Sequence, residues 1–171
     1  MKRLLLLIFA IVSVNVCFSQ ATAKHKAMYI CNFTKEIEWP ASERNGDFVI
    51  CIVNQNDLLN QVRTFTNGKM VGTSPISVVG VKSIDEISKC HILFLPFADS
   101  KADKLSTIIA KVGDSSSTLI LSDRPGALKN GACINFFLVE DKLKYEINQK
   151  AIDGRKLHVS TNLINHAASA E

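Results

Sequence analysis

The chain has 171 residues, 47% of them hydrophobic and 21% charged, which is the usual composition of a globular domain. This length allows one domain with a single core and argues against a multidomain protein. The net charge of +4 comes from basic residues spread along the chain, with no run of five or six. That distribution predicts an ordinary solvated surface and argues against nucleic-acid or membrane-surface binding.

The N-terminus has the three parts of a secretory signal peptide. Lys2 and Arg3 form a short positive region, residues 4–12 form an apolar run, and residues 13–23 are small and polar. The apolar run is well short of the roughly 20 residues that a membrane-spanning helix needs. We therefore expect this segment to be removed on export.

Two cleavage sites fit this pattern, one after Ser19 and one after Ala23. We interpret residues 1–20 as the signal peptide and residues 24–171 as a single domain. Cys17 raises the alternative of a lipoprotein, but the residue before it is valine, whereas lipid attachment favours a small residue there. We expect Cys17 to be discarded with the signal.

Four cysteines lie beyond the predicted signal: Cys31, Cys51, Cys90 and Cys133. Export to an oxidising compartment permits disulfides. Four cysteines allow three complete pairings, and spacing alone does not choose among them. The chain has no C-x-x-C motif, which argues against a thioredoxin-type redox centre.

The first predicted element is a helix from Lys24 to Glu38. An apolar residue recurs every three or four positions along one side of it: Ala27, Ile30, Phe33 and Ile37. Pro40 stops this helix, because the residue before a proline disfavours helical backbone.

The middle of the chain alternates between strand and helix patterns. In order, these are strand Asp47–Val53, helix Asp57–Thr66, strand Ile76–Val81, short helix Ser83–Ser88, strand His91–Phe97, helix Lys101–Val112 and strand Thr118–Leu121. The continuous apolar strand from His91 is the type buried on both faces of a parallel sheet. The helix from Lys101 has the clearest amphipathic pattern.

The C-terminal part begins with two alternating segments, Cys133–Val139 and Lys142–Ile147, around a tight polar turn, which predicts a hairpin. Helical pieces follow around Ala151 and from Thr161 to Ala168. Alternating strands and helices predict an α/β fold with a mostly parallel sheet and helices on both faces. We expect a flavodoxin-like outline with a C-terminal antiparallel hairpin.

The sequence contains no G-x-S-x-G, H-E-x-x-H, phosphate-loop or G-x-G-x-x-G motif. The adjacent pair Cys90 and His91 falls on a predicted strand, where neighbouring side chains point to opposite faces. These two side chains then do not share a metal or form a nucleophile and base, and we assign them structural roles. We predict no catalytic residue, no metal site and no cofactor.

Ligands of open parallel sheets bind beyond the carboxyl ends of the strands. Polar residues follow the predicted strands at that edge: Asn54 and Asn56, Asp99 and Ser100, and Asp123 and Arg124. They are candidates for lining a polar crevice. The simpler interpretation is that they serve as turn and cap residues, which Asn, Asp and Ser favour.

Five stretches of the chain resemble the YfiR family of exported bacterial proteins, in the family's order. They are KAMYICNFTKEIEWP from Lys26, DFVICIV from Asp47, CHILFLP from Cys90, GACINFFLVEDKLKYEIN from Gly131 and LHVSTNLINHA from Leu157. The resemblance implies a periplasmic regulator and not an enzyme. The family's best-known members hold down a membrane-bound diguanylate cyclase by binding its periplasmic part, and related domains occur with sensor kinases.

The resemblance therefore implies that the partner is the periplasmic part of an inner-membrane signalling protein, and it extends to homodimers and redox-dependent disulfides. Cys51 and Cys90 match cysteine positions of the family, and a bridge between neighbouring strands requires Cα atoms within about 7 Å. Cys133 matches a further position but has no evident partner, and Cys31 is expected to be a buried thiol.

Two alternatives remain for the function. One is a small-molecule binding module that uses the polar residues at the strand ends. The other is a thiol enzyme with Cys90 or Cys133 as nucleophile, which requires an accessible thiolate.

Overall fold

A computed structural model of the chain describes residues 21–43, 45–87, 89–113 and 116–170. The signal peptide predicted for residues 1–20 lies outside the described residues.

The described chain forms helices and strands that alternate as the sequence pattern indicates. The helices are α1 (residues 21–36), α2 (Asn56–Thr66), α3 (Ala102–Val112), α4 (Gln149–Gly154) and α5 (Thr161–His166). The strands are β1 (Ile37–Glu38), β2 (Phe48–Val53), β3 (Met70–Val71), β4 (Ser74–Val81), β5 (Ile92–Leu95), β6 (Leu119–Ser122), β7 (Ile134–Val139), β8 (Lys142–Ile147) and β9 (His158–Val159).

Seven strands form one sheet in the order β3-β4-β2-β5-β6-β7-β8. The five central strands are parallel, and numbered by their own chain order they run 2-1-3-4-5, the order of flavodoxin-like sheets. Antiparallel strands flank them, β3 at one edge and β8 at the other. The sheet is therefore mixed, with an antiparallel strand at both edges, whereas the sequence predicted one only at the C-terminal end.

Helices α2 and α3 connect parallel strands in opposite directions across the sheet, α2 from β2 to β4 and α3 from β5 to β6. Because such connections are right-handed, the two helices lie on opposite faces. Each buries two apolar residues of its stripe completely: Leu58 and Val62 in α2, and Leu105 and Ile108 in α3.

Helix α1 is held on the β7–β8 hairpin by an aromatic cluster. Tyr29 and Phe33 contact the rings of Phe136 and Tyr145, with ring centroids 5.1 to 6.0 Å apart. The Cys31 thiol also donates to the backbone oxygen of Phe65 in α2. These contacts fix α1 over the face of the sheet that carries Phe136, with Lys26 near the carboxyl ends of the strands.

Two predicted helical segments differ in the structure. Ile37 and Glu38 form β1, which pairs antiparallel with β9, and the Ser160 amide donates to the carbonyl of Glu36. A partner about 120 residues away thus ends α1 before the point that its periodicity predicts. Within the described residues of the predicted helix Ser83–Ser88, a 3-10 turn spans Ile84–Glu86.

The C-terminal helix α5 starts at the predicted cap, where Ser160 Oγ accepts from the Leu163 amide at 3.0 Å. It ends at His166 because the next residues pair with β8 instead of continuing the helix. The Ala168 amide donates to the Tyr145 carbonyl, and Ala170 bridges to Ile147. The tail therefore covers part of the outer edge of β8.

Candidate functional site

The carboxyl end of β2 carries Asn54, which lies at the point where the order of the parallel strands reverses. Its backbone φ is +47°, a left-handed conformation that few residues other than glycine adopt. Its Nδ2 donates to Asp99 Oδ2 at 3.2 Å, and Lys104 Nζ pairs with Asp99 Oδ1 at 3.1 Å. The structure thus brings together two of the predicted edge residues, Asn54 and Asp99.

Three open cavities meet at Asn54. One, of about 420 Å³, is lined by Thr22, Ala23, Lys26, Asn54, Gln55, Asn56 and Asp57. The second, of about 430 Å³, is lined by Ile52, Asn54, Gln55, Asn56, Leu59, Arg63, Gly80, Val81 and Lys82. The third, of about 330 Å³, is lined by Val53, Asn54, Lys82, Ser83, Asp85, Asp99, Lys104 and Thr107. Asp123 and Arg124 line none of these cavities. The polar crevice is therefore centred on the end of β2 and does not extend to the end of β6.

Asp123 instead forms a buried ion pair with Lys26 of α1. Their side chains are only 14% and 11% exposed, and Lys26 Nζ also lies 5.5 Å from the centroid of the Phe94 ring. The second carboxylate oxygen, Asp123 Oδ1, is buried without a hydrogen-bond partner among the described residues. This pair ties α1 to the end of β6.

Arg124 forms a surface platform with Phe97. The guanidinium lies 4.1 Å from the centroid of the Phe97 ring, and its Nε donates to the Phe97 carbonyl at 2.9 Å. Phe97 is 54% exposed. An exposed aromatic ring beneath an arginine has the composition of a protein-interface anchor more than of a small-ligand site.

The thiols of Cys51 and Cys90 are buried and free. Their mutual interaction lowers the pKa of the Cys51 thiol, against the effect of burial, and raises the pKa of the Cys90 thiol together with burial. Cys90 lies two residues before β5, and Cys51 lies in the middle of β2. The two cysteines that the family resemblance singles out are therefore neighbours in the fold.

The other two cysteines are also buried and free. Burial raises the pKa of the Cys133 thiol, which the Arg155 guanidinium partly opposes. A buried neutral thiol is a poor nucleophile, which argues against Cys133 as a catalytic residue. Cys31 lies between the Phe65 carbonyl and Lys69 Nζ, which donates to its sulfur at 3.3 Å.

Within the residues that the structure describes, no group of three or more His, Cys, Asp or Glu side chains is placed to hold a metal ion. In the same residues, no helix has the length and apolar character to cross a membrane.

Lys26 is the main residue at this edge that the sequence prediction missed. It occupies a position on the apolar stripe of α1, four residues before Ile30 and seven before Phe33. A lysine on the buried side of an amphipathic helix requires a partner for its charge. The position of Lys26 in the apolar stripe was therefore the sequence feature that could have predicted a buried ion pair. The sequence did not reveal the partner, because Asp123 is 97 residues away along the chain.

The described residues form a mixed α/β fold with a flavodoxin-like order of the parallel strands, and polar and aromatic surfaces lie at one edge of the sheet. A sequence profile of the YfiR/HmsC-like family matches residues 23–168, and the chain belongs to that family. Members of the family are regulatory and non-catalytic, act in the periplasm on cyclic-di-GMP signalling, and typically bind an inner-membrane signalling protein. No curated protein matches the chain.

Proposed function

We propose that this protein is a periplasmic regulatory binding protein that inhibits or modulates an inner-membrane signalling protein, a diguanylate cyclase or a sensor kinase, through its periplasmic part. The observation that carries the proposal is the family match over residues 23–168. The signal-peptide pattern of residues 1–20 supports it, because export brings the domain to the periplasmic side of the inner membrane.

The Phe97–Arg124 platform supports a contact surface for that partner. Phe97 is exposed at the same edge as the carboxyl ends of the strands, and Arg124 holds its ring from one side. Aromatic and arginine anchors supply most of the binding energy at many protein interfaces. We propose that the periplasmic part of the partner contacts this platform.

Affinity capture from detergent-solubilised membranes tests this proposal, with the tagged chain exported in its own host. We expect a membrane protein with a cyclase or kinase domain to be recovered, and at least about fivefold less of it with Phe97→Ala. Met70→Ala is the matched control, because Met70 is 57% exposed on β3 at the other edge of the sheet. Recovery of no signalling protein would contradict the function, whereas equal recovery with Phe97→Ala would contradict only the platform.

A second candidate function, a periplasmic small-molecule binding module, is favoured by the three cavities that meet at Asn54. Non-glycine residues in left-handed backbone concentrate at functional sites. Asn54→Gly keeps this backbone conformation and removes the amide. Glu140→Gly is a matched control, because Glu140 has φ +48° in the exposed hairpin turn.

The test is thermal unfolding of these variants with and without a periplasmic small-molecule extract. A ligand of the cavities should stabilise the wild type and Glu140→Gly but not Asn54→Gly. The absence of any shift in the wild type would remove this candidate.

We also propose that Cys51 and Cys90 close a disulfide under oxidising conditions. The family resemblance at both positions supports this pairing over the other two, and so does the effect of each thiol on the pKa of the other.

A further inference from the structure

Both nitrogens of the His91 ring form hydrogen bonds. Nδ1 accepts a hydrogen bond from the Val49 amide at 2.9 Å, and Nε2 lies 2.9 Å from the Glu43 carbonyl. A ring nitrogen that accepts from an N–H carries no proton. The imidazole is therefore neutral, with its proton on Nε2 and donated to Glu43.

The ring is also fixed by packing. It is 2% exposed and stacks on Phe48 with centroids 4.5 Å apart. Phe48 meets the edge of Trp39 at 4.8 Å, and the indole Nε1 donates to the Ser117 carbonyl at 2.9 Å. The imidazole thus joins three segments of backbone: the turn Ala41–Glu43 and the starts of β2 and β5.

The hydrogen-bond partners of the two ring nitrogens are not the charged side chains near the ring. Glu38 and Glu43 line the same cavity of about 190 Å³ as His91, and the Glu43 carboxylate pairs with Lys89 Nζ at 2.8 Å. The partners of the ring nitrogens are backbone groups, one donor and one acceptor. A second proton on the ring therefore has no acceptor at Nδ1.

We propose that His91 is an acid-sensitive latch that holds the turn Ala41–Glu43 and the start of β2 to the start of β5. When the ring takes up a second proton, this proton is on Nδ1. The new N–H then points at the Val49 N–H, so two buried donors face each other without an acceptor. The protonated ring is accommodated only when it leaves its site. Only the open form accepts this second proton, so acid favours the open form.

The latch depends on the hydrogen bonds of His91 and not on the identity of the partner.

Amide hydrogen exchange of Val49 in the purified protein tests the latch. After correction for intrinsic exchange, the opening constant should rise as the pH falls, by up to about tenfold per pH unit, because opening binds one proton. His91→Gln supplies an acceptor and a donor without titrating, so its opening constant should stay level from pH 7.5 to 5.5. His158→Gln and His166→Gln alter exposed histidines and should behave as the wild type.

An opening constant of Val49 that does not change with pH in the wild type, or that changes equally in His91→Gln, overturns the proposal. If His91→Gln does not fold, two measurements on the wild type decide. Ring ¹⁵N spectra at pH 7.5 must show Nδ1 without a proton. Val49 must open more in acid than Leu121 in β6, and equal opening of both amides means global unfolding and overturns the latch.

Discussion

Lys26 and Asp123 are the clearest case of one residue that depends on another far along the chain. Lys26→Met should cost about 3–5 kcal/mol in the free energy of unfolding, because it leaves the Asp123 carboxylate buried and unpaired. The double variant Lys26→Met, Asp123→Leu should recover most of that loss, since an apolar pair of similar volume removes the buried charge. Urea unfolding measures both values.

The matched control is Lys111→Met, whose partner Asp85 is 95% exposed. It should leave the urea midpoint unchanged, because an exposed ion pair contributes little. If the double variant is no more stable than Lys26→Met, then a buried unpaired charge is not the cause of the loss.

Cys51 and Cys90 differ from the other cysteines in having each other as partners. Oxidation should join them and stabilise the protein by roughly 3–4 kcal/mol in the chain-entropy treatment of a loop of this length. Cys51→Ser and Cys90→Ser should each abolish the gain, and Cys31→Ser should keep it. Peptide mapping without reduction and urea unfolding check the prediction, and a bridge that includes Cys133 would contradict it.

The raised pKa of Tyr145 predicts how the stability of the protein changes at alkaline pH. Burial, with the nearby Tyr29 and Glu36, raises the pKa of Tyr145 to about 12, and its hydroxyl donates to the Leu163 carbonyl at 2.9 Å. Its stabilising effect is therefore complete below pH 10, where the unfolded tyrosine also keeps its proton. This effect is lost as the pH rises from 10 through 12.

Urea unfolding of the wild type and Tyr145→Phe between pH 8 and pH 11.5 measures this effect. The stability difference between the two proteins should be constant up to about pH 9 and then shrink. A difference that stays constant to pH 11.5 would show that Tyr145 ionises as readily in the folded protein as in the unfolded chain.

At the scale of elements, the contact between α3 and the loop before β7 depends on a glycine. Gly131 has φ +94°, and a Cβ built there lies 2.5 Å from Ile109 Cδ1. Gly126 in the same loop has φ +77° but no atom within 4 Å of such a Cβ. A comparison of alanine substitutions at the two glycines therefore separates the cost of backbone strain from the cost of steric overlap with Ile109.

Gly131→Ala should lower the free energy of unfolding by more than Gly126→Ala, which should lose about 1–3 kcal/mol through strain alone. Adding Ile109→Val to Gly131→Ala removes the Cδ1 atom and should recover the excess, as measured by thermal unfolding. Equal losses for the two glycine variants would mean that the Ile109 side chain moves aside freely.

The elements that the sequence predicted well are those with strong local periodicity. Helix α3 and strand β5 are found where predicted, because each buries a continuous apolar stripe or run. Strand β1 was predicted as helix, because two residues carry no period and its partner β9 lies about 120 residues later. Strand β3 is equally short and was not predicted.

In the candidate site, too, the features that depend on local sequence pattern were predicted and those that depend on distant contacts were not. The carboxyl ends of the strands were located from the strand pattern, and the bond between Asn54 and Asp99 fits the sheet order. The pairing of Asp123 with Lys26, and of Arg124 with Phe97, depends on the packing of α1 and of two loops. Sequence spacing does not encode such contacts, so four of the six edge residues predicted as one group form three separate contacts.

At the scale of the whole molecule, the family match and the signal-peptide pattern lead to one account. In the proposed function, the domain acts outside the cytoplasm by binding, and its effect inside the cell passes through a membrane protein. Export is then essential to function, and removal of the N-terminal segment should silence the protein while leaving residues 24–171 able to fold.

The most direct test of this account is the cellular concentration of cyclic-di-GMP in the source organism after deletion of the gene. We expect the concentration to rise, to return to normal with the whole chain, and to stay high with a chain that lacks residues 2–20. An unchanged concentration after deletion, or full restoration by the chain without residues 2–20, would contradict a periplasmic regulator of cyclic-di-GMP signalling.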